Sequence, residues 1–155
     1  MRLNYKRLPR LTDLVEGIGM TPELVAQLAA LALMQAHIVV DEIHDIVIPL
    51  LSPAKRSFAA RIARRLERGP VIEEDLLHDL EEFSSQVARQ IESGTEVYWQ
   101  GDDNHVRGGY EAVQRTAEAR RLAAAADELS LLRDMILATI SAARAVRETG
   151  ALLDE

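Results

Sequence analysis

Between Leu24 and Val40 the chain holds seventeen residues, of which only Gln27, Gln35 and His37 are polar. A run of that length is too long for a strand and too apolar for an ordinary surface helix, so it must lie in a core or cross a membrane. Its ends are marked. Thr21-Pro22-Glu23 supplies an N-cap, a proline at the first helical position and an early acid, and Pro49 interrupts the pattern at the far end. Asp41, Glu42, His44 and Asp45 break the run before it could cross a bilayer comfortably, which predicts a buried core helix and no membrane span. The N-terminus, Met1 to Arg10, is basic but leads into no uninterrupted apolar stretch with a small-residue cleavage site. A cytoplasmic location is therefore expected, with secretion as the alternative.

Three further helical patterns follow. Ser52-Pro53 repeats the start signal, and Phe58, Ile62 and Leu66 recur every four residues until Gly69-Pro70. Leu76, Leu80, Phe83, Val87 and Ile91 trace a third apolar stripe that ends near Gly94. Four glycines with Asp102, Asp103 and Asn104 then give 94–109 the composition of a connecting loop, and no segment reads as a strand. From Tyr110 to Glu148 the chain can stay helical for about 58 Å. Within that stretch Leu122, Leu129, Ile136 and Ala143 fall seven apart, and alanine-rich faces permit close helix approach. The expected fold is all-α: an antiparallel helical bundle of about four main helices with a long C-terminal helix. Residues 1–20 would form a basic segment with a short helix, 21–149 the bundle domain, and 150–155 a tail.

At 155 residues one domain with a real core is expected. With 25 acidic against 18 basic residues the net charge is −7, which argues against a surface built for nucleic acid. Cysteine is absent, which removes disulfides, thiolate metal sites and cysteine nucleophiles. Charge is segregated: Lys55, Arg56, Arg61, Arg64, Arg65 and Arg68 crowd the second helix, and Glu73, Glu74, Asp75, Asp79, Glu81 and Glu82 the start of the third. The two runs can neutralise each other across Gly69-Pro70. Alternatively Arg61, Arg65 and Arg68, on one helical face, form a patch for phosphate or an acidic partner.

One five-residue pattern, acid-x-x-His-Asp, occurs twice, at Asp41 to Asp45 and at Asp75 to Asp79. An acid and a histidine three apart share a helix face, which resembles the way ferritin-like bundles hold two metals. Counting residues along folded-back helices puts the two motifs at one height, with Asp127 and Glu128 opposite. The order His44, His78-Asp79, Asp127 also resembles the HD metal-dependent phosphohydrolases. That resemblance implies one or two divalent metals on His44, His78, Asp79 and Asp127, activating water against a phosphoester. Asp41 and Asp75 complete the candidate ligand set. The sequence departs from the HD pattern after the doublet, where Glu81-Glu82 stand in place of the Gly-Lys often found there. Trp99-Gln100-Gly101, followed by Tyr110 to Gln114 and a long helix, looks like the Trp-x-Gly turn of small helical hairpins secreted by type VII export.

Gly-rich phosphate loops, Gly-x-Ser-x-Gly and His-Glu-x-x-His are all absent from the sequence. The leading expectation is a non-enzymatic assembly protein that works by homo-oligomerisation or protein contacts, with Leu122, Leu129 and Ile136 of the long helix, and the Arg61, Arg65 and Arg68 patch, as partner-binding residues. A divalent-metal hydrolase or di-metal carboxylate bundle is the alternative, and a type VII-like secreted helical protein a second.

Overall fold

The computed structural model describes residues 20–101 and 109–153. Four helices and one two-stranded sheet make up this part of the chain. Helix α1 spans Pro22–Leu50, α2 Pro53–Arg68, α3 Glu74–Ser93 and α4 Ala117–Leu153; strands β1, Thr95–Gly101, and β2, Gly109–Arg115, lie between α3 and α4. The fold is therefore mostly all-α. The short helix expected before residue 20 lies outside the described residues.

Each helix begins and ends for local reasons. Thr21 Oγ1 accepts from the Leu24 N–H (3.1 Å) and Pro22 occupies the first helical position, which together start α1. Near its end α1 widens into a π turn, Ile43–Val47, and resumes as α-helix over Ile48–Leu50. Pro49 accounts for this, because in an unbroken α-helix its ring would strike the Asp45 carbonyl. The wider turn makes room, so the helix runs one residue past the proline that was expected to stop it. Helix α2 closes on Gly69, whose φ of 61° suits a residue without Cβ and whose N–H donates to the Arg65 carbonyl (3.1 Å).

The core draws on all four helices. Helix α4 packs against both α1 and α3, and α2 fills in against α1 and α3. Phe83 of α3 is fully buried and meets Phe58 of α2 edge-on, with ring centroids 6.1 Å apart. Contacts fix the heights of the helices. Pro22 and Val25 share a cavity with Ile72 to Glu74 and with Ile140 to Arg147. Further along, Gln35 of α1 bonds Glu128 of α4. Val39, Ile43 and Val47 meet Phe83, Val87, Ala125 and Leu129 around a second, small cavity.

The loop expected over 94–109 is in fact most of a β-hairpin. Its strands pair antiparallel from Thr95↔Arg115 to Gly101↔Gly109, and residues 102–108 between them lie outside the described residues. Thr95, Val97, Tyr98 and Trp99 favour strand, but Val97 and its cross-strand partner Val113 are exposed. With that cross-strand pair in water the pattern shows no apolar alternation against a core there, and so the segment's glycines and acids read as a loop. Helix α4 accordingly starts at Ala117, not Tyr110. Thr116 caps it by accepting from the Ala119 N–H (3.1 Å), and its own N–H donates to the Gly94 carbonyl (2.9 Å), closing the base of the hairpin. At the other end α4 passes the expected boundary at residue 149 and reaches Leu153.

Candidate functional site

The structure scatters the residues that the sequence offered as metal ligands. Asp41, His44, Asp75, His78, Asp79 and Asp127 are all exposed, and no three His, Asp or Glu side chains converge among the described residues. The first motif lies level with Phe83, Val87 and Ala125 to Leu129. The second sits some two turns nearer the start of α3, where Glu74 pairs with Arg144 (2.8 Å). His44 instead faces Glu67 of α2, with Nε2 and Oε1 3.3 Å apart. The expected common height fails because 69–73 is not helical and sets the start of α3 beside Pro22 and Val25, at the first turn of α1.

The expected partner-binding residues also have other occupations. Leu122, Leu129 and Ile136 are buried in the chain's own core, because the heptad seam of α4 faces α1 and α3. Arg65 bonds the Glu73 carboxylate and donates to the Pro70 carbonyl, which is the neutralisation across Gly69-Pro70 that the charge pattern allowed. Arg61 lies over the Phe58 ring (4.9 Å to its centroid), and only Arg68 of the three makes no such contact among the described residues. Trp99 and Gln100 stand in β1, paired with Glu111 and Tyr110, not in a turn between helices. The side chains of Tyr98 and Trp99, and His105, lie outside the described residues.

A different surface emerges on α1. Leu33, Met34 and Ile38 are 49%, 62% and 45% exposed. With Ala26, Ala30 and His37 they recur at spacings of three and four, so they share one side of the helix. No charged residue stands on α1 between Glu23 and Asp41. The exposed sides of α2 and α3 are the opposite, crowded with arginines and with acids. By length and composition α1 could cross a membrane, yet 33% of its most apolar stretch is buried against the rest of the chain. Its other side is closed by the core, including Gln35, whose amide donates to the Glu128 carbonyl (2.9 Å) and carboxylate (2.6 Å). Comparison with family models, curated proteins and solved structures finds no match.

This face was visible in the sequence as an apolar run with no charged residue. The run was read as a buried core helix, and its one covered side is that. What the pattern also carried is a surplus: a helix packed on one side by three others needs an apolar stripe, not an apolar circumference. Leu33, Met34 and Ile38 are that surplus.

Proposed function

We propose that this chain is a non-enzymatic assembly protein: an antiparallel four-helix bundle that pairs with a second copy of itself through the exposed side of α1. The observation that carries the reading is the uncharged stripe through Leu33, Met34 and Ile38, since apolar side chains left in water at one place mark a contact surface. Small residues at 26 and 30 let a second helix approach closely. The ends of the stripe favour a second copy laid antiparallel. When Leu33 of one subunit meets Met34 of the other, Glu23 falls level with His44 of the partner subunit. The positive N-terminal end of each helix then lies beside the partner subunit's Asp41 and Asp45.

A bilayer would require α1 to leave α2, α3 and α4 and to carry Gln35 away from Glu128, which favours the protein partner. The hydrolase reading has no comparable support, because its ligands do not converge among the described residues.

The absence of cysteine makes the test direct. Met34→Cys and Leu33→Cys single variants, mixed and oxidised, should cross-link into a dimer far faster than an Arg61→Cys control, beside a two-subunit mass for the wild type by light scattering. A monomer at high concentration, or equal cross-linking of the control, overturns the proposal. So does flotation with phospholipid vesicles in place of self-association.

A further inference from the structure

A cavity of about 570 Å³ opens where the start of α1, the connection into α3 and the last turns of α4 meet. That volume is within the range of small-molecule sites, roughly 300–1,000 Å³. Its interior is apolar, with Val25, Ile72, Ile140 and Val146 among its walls. Four charged side chains also line it: Glu73, Glu74, Arg144 and Arg147.

Both lining acids are already paired. Glu73 is held by Arg65, and Glu74 by Arg144 (2.8 Å). Arg147, three residues beyond Arg144 on the same side of α4, makes no ion pair among the described residues. Pro22, the first residue of α1, is also part of the wall. An apolar interior beside a guanidinium that makes no ion pair among the described residues suits an amphiphile with an anionic head group. The fork of a guanidinium pairs with a planar carboxylate through two parallel hydrogen bonds.

We infer that this cavity binds a single-chain amphiphile, a fatty carboxylate, with its hydrocarbon among Val25, Ile72, Ile140 and Val146 and its carboxylate on Arg147. The site lies at the first turn of α1, away from Leu33 to Ile38, and does not depend on the pairing proposed above.

The test is calorimetric titration of the full chain with dodecanoate below its micelle concentration, with dodecyltrimethylammonium as the cationic counterpart. One dodecanoate should bind per chain, and the cation should bind at least tenfold more weakly. Arg147→Glu alters an exposed side chain and should weaken dodecanoate at least tenfold. Ala143→Trp fills the cavity and should abolish binding. Met34→Asp, on the other surface, should leave it unchanged. The inference is overturned by absence of dodecanoate binding, by equal affinity for the two head groups, or by an Arg147→Glu variant that binds as the wild type does. Binding lost in Met34→Asp would likewise overturn it, by moving the tail to the exposed face of α1.

Discussion

Replacing Met34 with aspartate separates association from folding more sharply than any other single change. Met34 is 62% exposed in the subunit, so most of its side chain still has burial to gain from a partner. Complete burial of a methionine is worth about 2 kcal/mol, and the fraction still available is then about 1.2 kcal/mol per copy, or about 2.5 kcal/mol in a two-fold dimer. The substitution also brings two carboxylates near the symmetry axis. At roughly 6 Å and an effective dielectric constant of about 20 their repulsion adds about 2.8 kcal/mol. Together these terms weaken the dimer by roughly 10³- to 10⁴-fold in Kd.

The subunit itself should hardly notice. An exposed helical position costs about 0.5 kcal/mol for the change in helix propensity, which is a shift of roughly 1–2 °C in Tm for a chain of this size. Sedimentation velocity across a hundredfold concentration range reads the first effect, and thermal unfolding at the dilute end reads the second. A wild type whose Tm rises with concentration and a variant whose Tm does not would agree with pairing through α1. An unchanged sedimentation profile refutes the interface. A variant that unfolds refutes the claim that this side chain lies outside the core.

Other residues give contrasting expectations. Leu129→Ala removes a buried side chain shared by α4 with α1 and α3, and should cost about 2–5 kcal/mol in urea unfolding; loss of oligomer with unchanged subunit stability would instead make the heptad an interface. Gln35→Ala removes both hydrogen bonds to Glu128 and should cost about 1–3 kcal/mol by the same assay, and a neutral result would mean water replaces them without loss. At Gly94 an added Cβ would lie 2.9 Å from both Ala119 Cβ and Thr116 Oγ1, so Gly94→Ala should cost about 1–3 kcal/mol and perturb the hairpin amides in NMR spectra. Unmoved hairpin resonances in that variant would show that the base of the ribbon yields without strain.

Where the sequence was legible, a periodic apolar stripe met a partner inside the same chain. The stripes of α2 and α3, Ile62 and Leu66, then Leu76, Leu80, Phe83 and Val87, are buried as their spacing predicts. The heptad of α4 was equally legible as a seam, but a seam does not say whether its partner is the same chain or another. Leu122, Leu129 and Ile136 close on α1 and α3, so α4 leaves only Leu137 of its large apolar residues exposed among the described residues, while α1, where the sequence showed no charged side, leaves Leu33, Met34 and Ile38.

The metal motifs were the part that could not be read, and the cause is the connection after α2. A height count across α2 treats the turn after it as nearly free of rise. The five residues 69–73 are not helical: the chain bends at Gly69 and at Ile72, and the Glu73 N–H donates to the Val71 carbonyl (3.1 Å). The start of α3 lies beside the first turns of α1, where Val25 and Ile72 share a cavity, and not beside residues 36–41. Asp75 to Asp79 and Asp41 to Asp45 then face different neighbours. A repeat in sequence becomes a repeat in space only when the connection between its copies has the course that the count assumed, and here five non-helical residues undo it.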